Sequence, residues 1–205
     1  YQEKMWEVDD VRSMEVIEEG PVRGKLRITR KFLDSTIVQD MILYRDIPRI
    51  DFHTHVDWKE DRILLKAAFP VDVHSDQFGN VERPTHWNTS WDTARFEVCA
   101  QKWADLSEDG YGVSLLNDCK YGHDIRDGVM RLTLLKSGME PNPKADRGEH
   151  EFTYSLYPHA EDWRIGGTVQ MAHCLNVPLY TATGSANNGG VLPKTLSMVQ
   201  VDCGN

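Results

Sequence analysis

Hydrophobic and polar residues alternate with a period of two along much of the chain. Val22, Gly24, Leu26 and Ile28 are interleaved with Arg23, Lys25, Arg27 and Thr29, and Ile50, Phe52, Thr54, Val56 and Trp58 with Asp51, His53, His55 and Asp57. Successive side chains of a strand point to opposite faces, so each run predicts a strand with one apolar face. Further strands are predicted from Phe96 to Trp103, Gly112 to Leu116, Met130 to Leu135, Glu151 to Leu156 and Leu196 to Val201. Gly, Pro, Asn and Asp clusters such as Glu140-Pro141-Asn142-Pro143 separate them. Helical periodicity is scarce: Ile165 to Leu175, stopped near Pro178, predicts one short helix, and 93–106 fits either period. Many short strands with turn-rich connections and almost no crossover helices predict an all-β fold, a large antiparallel β-sandwich. Neither a long repeat nor a low-complexity linker divides the chain, and Asn187-Asn188-Gly189-Gly190 reads as a loop.

The length of 205 residues and 40% hydrophobic content allow a sizeable core. Charged residues make up 27%, and six Trp, seven Tyr and six Phe are spread along the chain, which closes the compositional routes to disorder. With 23 Lys and Arg against 32 Asp and Glu, the formal charge of -9 argues against nucleic acid or an anionic membrane as partner. No apolar run approaches the roughly 20 residues of a membrane helix, and no signal-peptide pattern opens the chain, so the expectation is a soluble, cytoplasmic protein. Cys99, Cys119, Cys174 and Cys203 lie far apart without a CxxC, which predicts reduced core cysteines rather than a zinc knuckle or a disulfide framework. Asn88-Thr89-Ser90 fits the glycosylation pattern, a signal too short to carry weight. The chain opens at Tyr1 and closes just after the alternating run Met198 to Asp202, and a strand needs neighbours for its backbone. A fragment of a longer chain is therefore expected.

His53 and His55 place two imidazoles on one strand face, as in zinc hydrolases of the amidohydrolase type. Such enzymes also need ligands at the ends of a series of parallel strands, and no β/α alternation follows, so 51, 53, 55 and 57 read as the polar face of an antiparallel strand. The densest polar and aromatic cluster is Glu82-Arg83-Pro84-Thr85-His86-Trp87-Asn88, followed by Ser90-Trp91-Asp92. Rings beside fork-shaped donors and carboxylates suit sugars; a loop packing its two Trp onto the sandwich is the competing reading. A second cluster, Asn117-Asp118-Cys119-Lys120-Tyr121-Gly122-His123-Asp124, follows the strand Val113 to Leu116 at an edge where scaffolds present functional groups, or where Asn and Asp hold a turn. Arg83 and His86 in the first cluster and Asn117, Asp118, Lys120 and Tyr121 in the second are the substrate-facing candidates, because they combine donors and acceptors beside rings. Carboxylate pairs such as Asp118 with Asp124, or Asp105 with Glu108, are too easily produced by chance among 32 acids to mark a glycosidase. Phosphate loops, nucleophile elbows and basic nucleic-acid stripes are absent from the sequence.

The run Arg83-Pro84-Thr85-His86-Trp87-Asn88-Thr89-Ser90-Trp91-Asp92, continuing to Ala94-Arg95-Phe96-Glu97-Val98, resembles the C-terminal region of glycoside hydrolase family 38 α-mannosidases. So does Leu115-Leu116-Asn117-Asp118-Cys119-Lys120-Tyr121-Gly122. Ile50-Asp51-Phe52, Val56-Asp57-Trp58, Leu64-Leu65-Lys66, Phe69-Pro70, Phe152-Thr153-Tyr154 and Pro158-His159 extend the likeness over nearly the whole chain. It is most similar to the branch of the cytosolic animal enzyme and its bacterial relatives. The resemblance implies a sandwich of the galactose-mutarotase-like type, with residues 1–205 a C-terminal domain whose α/β catalytic domain and helical segment are not part of it. It also implies that the carboxylate pair and the His and Asp ligands of a zinc ion lie in that missing portion: no position here matches them, so the fragment is expected to carry no catalytic or metal-ligating residue. The implied partners are a mannose-containing oligosaccharide and the chain's own N-terminal catalytic domain; homo-oligomerisation is left open. Relatives carry a short extra strand-like stretch before Phe78-Gly79-Asn80-Val81-Glu82-Arg83, which suggests residues missing between Gln77 and Phe78. The readings from other classes are a stand-alone carbohydrate-binding or structural module and, last, an HxH metallohydrolase.

Overall fold

The computed structural model of the chain describes residues 4–73, 77–78, 83–185, 189–191 and 193–199. Seven antiparallel strands form one sheet, in the order β1 (Val11–Glu19), β2 (Arg23–Phe32), β3 (Ser35–Tyr44), β4 (Ile50–Trp58), β13 (Gly148–Ala160), β10 (Tyr111–Asn117) and β9 (Trp103–Glu108). Four more form a second: β5 (Leu64–Pro70), β12 (Val129–Lys136), β11 (Gly122–Arg126) and β8 (Val98–Cys99). A two-residue pair, β6 (Gln77–Phe78) with β7 (Arg83–Pro84), and two helices, α1 (Ser90–Ala94) and α2 (Thr168–Asn176), complete the described elements.

Alternation decides what lies between the sheets. Phe52, Val56 and Trp58 of β4, Phe152 and Tyr154 of β13 and Val113 and Leu115 of β10 share one core with Leu65, Ile125, Met130 and Leu132 of the smaller sheet. Each such side chain contributes about 1.5–3 kcal/mol by leaving water. Trp58 is fully buried and stacks on Phe32 at 6.0 Å, and its Nε1 donates to Ser137 Oγ at 2.5 Å. Phe52 stacks on Tyr154 at 5.1 Å, and Gln39 Nε2 donates to the Tyr154 hydroxyl at 2.7 Å. The fold is all-β and antiparallel, as the period of two predicts.

The opposite residues of β4 form its outer, polar face, as read from the sequence, but Asp51 there is buried. Arg49 Nε and Nη2 donate to its two carboxylate oxygens at 2.7 and 3.0 Å, Ser155 Oγ donates at 2.6 Å and the Tyr44 hydroxyl at 2.9 Å. Further along the same face α2 packs Ala172, Met171 and Leu175 onto Leu116, Tyr157 and Trp103. The predicted helix was 165–175; residues 161–167 form turns instead, because Asp162 accepts from the amides of Arg164 and Ile165, and left-handed Gly167 at φ +70° starts the helix. Under that turn His159 Nε2 meets Asp105 Oδ1 at 2.7 Å, Ser114 Oγ donates to the same oxygen, and Ser114 joins Thr168 Oγ1 at 2.7 Å. The imidazole lies against Gly112 and Gly166, where any Cβ would collide with it.

Several sequence expectations change. The run Phe96 to Trp103 is not one strand: Val98–Cys99 pairs with β11 in the smaller sheet and Trp103 opens β9 in the larger, so the chain crosses between sheets in between. The ambiguous 93–106 segment accordingly holds the end of α1, then β8 and the start of β9. In the run Leu196 to Val201, residues 196–199 form no strand and Met198 is exposed, while Gln200 and Val201 lie outside the described residues. Cys99, Cys119 and Cys174 are free but exposed rather than core, because they sit on an edge strand, in a turn and on the open side of α2; Cys203 lies outside the described residues. Asn187 and Asn188 also fall outside, and Gly189 and Gly190 are not in a helix or strand. Gln77 and Phe78 are consecutive in β6, with 74–76 and 79–82 outside the description.

Two buried histidines respond to pH with opposite signs. Burial pulls the His159 pKa down, but the Asp105 hydrogen bond and charge, with backbone carbonyl contacts, outweigh it and leave the pKa above its ordinary 6.5. Folding therefore takes up a proton: the stabilisation is complete below the ordinary value and is lost as pH rises through the elevated one. His123, fully buried on the inner face of β11, is pushed down to about 4 by burial. Its contribution is present above the ordinary value and lost as pH falls through about 4, an effect of about 3 kcal/mol at 1.36 kcal/mol per unit. Thermal unfolding against pH should show the deficit of His159→Gln largest in mild acid and shrinking toward alkaline pH. His123→Leu should lose less stability on acidification than the wild type.

Candidate functional site

The first sequence cluster is held locally rather than by the core. Thr89 caps α1: its hydroxyl accepts from the Asp92 amide, while Asp92 Oδ2 accepts from the Thr89 amide at 2.9 Å, the Thr89 hydroxyl at 2.8 Å and the Asn88 amide at 3.1 Å. This reciprocal arrangement satisfies amides that a helix start leaves open. The Thr89 hydroxyl and the two amides hold the Asp92 carboxyl below its ordinary range. Trp87 is fixed from the other side, with the Arg126 guanidinium 4.2 Å from its ring centre. Trp91 points into solvent, so the loop packs one of its two tryptophans, not both.

Between this loop and β11 lies a cleft of about 230 Å³. Arg83, His86, Trp87, Arg95 and Phe96 line one side, and His123, Asp124 and Ile125 the other. Of the substrate-facing candidates, Arg83 and His86 are therefore brought together. Asp124 is already engaged: Lys66 Nζ meets Oδ2 at 2.5 Å and Arg131 Nη1 meets Oδ1 at 2.8 Å. Lys66 also lies 3.9 Å from Glu97, which accepts from Thr133 Oγ1. His123 Nδ1 sits 3.2 Å from the Tyr121 carbonyl, which places the proton on Nδ1, and Nε2 is buried with no hydrogen-bond partner among the described residues.

The second cluster is the turn from β10 into β11, and it divides by role. Asn117 is fully buried; Nδ2 donates to the Gln101 carbonyl at 2.8 Å and Oδ1 accepts from the Lys120 amide at 2.9 Å. Asp118 Oδ2 accepts from the Thr153 amide at 2.8 Å, and its own amide donates to the Thr153 carbonyl at 3.1 Å, pinning the turn to β13. Lys120 Nζ lies 4.5 Å above the Phe152 ring, and Tyr121 is about half exposed. Desolvation, then the Asp118 hydrogen bond, push the Cys119 thiol up to about 11, so it stays protonated and is no nucleophile at neutral pH. The cleft and the turn adjoin, because Tyr121 and Gly122 lead directly into His123 and Asp124. The sequence offers Arg95 only within the resemblance, Phe96 as the start of a strand and His123 as a member of the second cluster, none of them as a site candidate; the Thr89 and Asp92 capping pair is the signal that this stretch is an ordered wall.

The metal reading of His53 and His55 finds no support. His53 Nε2 is 2.9 Å from Glu151 Oε1, His55 is exposed, and no group of three or more His, Cys, Asp or Glu among the described residues is arranged to hold a metal ion. The described residues thus do not fit a zinc site.

Residues 1–144 match the family model "Glycosyl hydrolases family 38 C-terminal domain". The chain is 45% identical over 168 residues to "Alpha-mannosidase 2C1" of Homo sapiens, covering 78% of this chain and 16% of that protein. It is 45% identical over 151 residues to "Alpha-mannosidase" of Saccharomyces cerevisiae, covering 70% of this chain and 14% of that one. A crystal structure of an alpha-mannosidase from Enterococcus faecalis V583 superposes with a TM-score of 0.71 at 16% identity, over 81% of this chain and 24% of the other, a likeness of fold. The chain thus spans about one sixth of the curated relatives it matches. With the cleft, the β10–β11 turn and every strand but β13 falling within the matched span, the chain belongs to the family of glycosyl hydrolases family 38 C-terminal domains.

Proposed function

We propose that this chain is the C-terminal β domain, of galactose-mutarotase-like type, of a longer zinc-dependent retaining α-mannosidase. That enzyme hydrolyses terminal α-D-mannosides, and this domain supports and partly lines the mannose site. The observation that carries the reading is the family match over residues 1–144 in a chain that spans about one sixth of the relatives it matches. The state of the carboxylates near the cleft supports it. A retaining glycosidase uses one carboxylic acid and one carboxylate about 5–5.5 Å apart, both able to reach the sugar. Here Asp92 closes a helix cap, Asp124 is bracketed by Lys66 and Arg131, and Asp118 accepts the Thr153 amide. The acid chemistry and the zinc ion, which would help bind and distort the mannose, accordingly belong to the portion this chain lacks.

Within this division of labour Arg83 and His86 offer donors at the cleft, Lys120 and Tyr121 offer donors on the adjoining turn, and Asn117 and Asp118 fix that turn. The partners are a mannose-containing oligosaccharide and the enzyme's own catalytic domain; a cytoplasmic location follows from the branch the sequence resembles. Among the described residues no helix is long and apolar enough to cross a membrane.

Aryl α-mannoside hydrolysis separates this reading from a self-sufficient enzyme. The long enzyme should turn over and stop on chelation, and the 205-residue chain should be silent with or without zinc. Chelator-sensitive turnover by the chain alone would overturn the assignment. In the long enzyme, Tyr121→Phe and Arg83→Gln should each lower kcat/KM by about tenfold, the value of one hydrogen bond of about 1.4 kcal/mol, with Tm unchanged. Asp118→Ala should instead cost about 1–3 kcal/mol of stability by stranding the Thr153 amide, read by denaturant titration.

A further inference from the structure

The cleft between residues 83–98 and β11 has a chemistry of its own. Its volume, about 230 Å³, suits a ligand the size of one sugar ring, since pockets for drug-sized molecules begin at about 300 Å³. Its two acids are already engaged: Asp124 is charge-paired with Lys66 and Arg131, and Oδ2 of Asp92 is committed to the amides and hydroxyl of its helix cap. Its two guanidiniums are not: among the described residues neither Arg83 nor Arg95 forms an ion pair. His86 stands beside them at the rim. In a protein of formal charge -9 this is a local site for an anion.

The opposite wall asks for something different. His123 is fully buried, its Nδ1 proton is directed to the Tyr121 carbonyl, and Nε2 is a buried acceptor without a donor. Burial holds the ring neutral, with a pKa of about 4, so it remains an acceptor at neutral pH. An unmet buried acceptor is destabilising, and a ligand O–H would satisfy it. The ring of Trp87, backed by Arg126, and that of Phe96 supply the aromatic wall on which a sugar C–H face packs.

We propose that this cleft binds a single hexose carrying an anionic group, phosphate or carboxylate. Arg83, Arg95 and His86 take the anion, and Nε2 of His123 accepts a hydrogen bond from a ring hydroxyl. The anion and hydroxyl assignments stand on the cleft itself; the choice of mannose as the ring rests on the α-mannosidase reading. Isothermal titration calorimetry of the 205-residue chain tests the site, with mannose 6-phosphate and mannuronate as the anionic probes and mannose and inorganic phosphate as controls. At least one anionic sugar should bind with one-to-one stoichiometry and at least tenfold more tightly than either control. The probe preferred, mannose 6-phosphate or mannuronate, identifies the anion. Arg95→Gln, at an exposed position, should reduce that affinity to the level of mannose, and His123→Leu should weaken mannose and anionic sugar alike, with circular dichroism confirming the fold. Anionic sugars bound no more tightly than inorganic phosphate, or an affinity unmoved by Arg95→Gln, would overturn the proposal. Hydrolysis by the long enzyme tests the family reading separately, so one can fail without the other.

Discussion

Strand β13 is hydrogen-bonded to β4 from Gly148 to Leu156 and to β10 from Tyr154 to Ala160, so it joins the N-terminal meander to the hairpin that leads to the cleft. Both pairings are fixed by the same alternation. Phe152 and Tyr154 point inward and stack, while Ser155, Tyr157 and His159 point outward. A one-residue slip would expose the aromatics and bury the polar set, which is why this register is strongly specified. The outward set then anchors everything on that face: Ser155 to Asp51, Tyr157 to the Gly166 carbonyl, and His159 to Asp105 beneath α2. The Thr153 backbone reaches the β10–β11 turn through Asp118, and Phe152 carries Lys120 on its ring. Placement of the candidate site is thus a consequence of one strand's register.

Strands with strict alternation were legible from the chain: β4, β10, β12 and the middle of β13 all lie where the period of two puts them. The misses have physical causes. β1 exposes Met14 and Val16 and buries almost nothing, so it leaves no one-sided pattern to read. The β11–β12 hairpin turns on Asp127 and Gly128, both at positive φ, a pairing that marks a tight primed turn more surely than hydrophobicity does. The stretch 96–103 has enough apolar residues for a strand yet is divided between two sheets, and only tertiary pairing reveals the break. The cysteines failed because burial was inferred from residue type alone, while their positions on an edge, a turn and a helix's open side decided it.

The site was legible as composition but not as geometry. Arg83 and His86 stood out beside Trp87, and the structure does gather them in one cleft. Asn117 and Asp118 drew notice for the same donors and acceptors, yet the Asn117 amide and Oδ2 of Asp118 are spent on the backbone of Gln101, Lys120 and Thr153. Local sequence cannot distinguish an amide that meets a ligand from one that meets a carbonyl, because both need the same chemistry. His123, named within the second cluster, is not among the site candidates for the converse reason. A histidine in an alternating run reads as polar surface, and only the pairing of β11 with β8 and β12 turns it inward.

Burying a carboxylate is costly unless hydrogen bonds and opposite charge compensate, so the use made of each buried acid reveals what the domain is built to do. Asp51 is held by Arg49, Ser155 and Tyr44, Asp105 by His159, Ser114 and Ser107, and Glu60 by Ser35 and the Asp34 amide. Asp51 and Glu60 fasten loop residues to the larger sheet, and Asp105 ties β9 to β10 and β13. Such acids are acceptors fully engaged in the ground state, whereas a general acid or nucleophile must keep an oxygen free for substrate and a pKa matched to its task. A domain that commits its buried acids to architecture gains rigid edges, and the open groups it then presents are donors: Arg83, Arg95, Lys120 and Tyr121. Donors on a rigid edge suit the orienting of a sugar's hydroxyls and anionic groups, the role proposed for this domain.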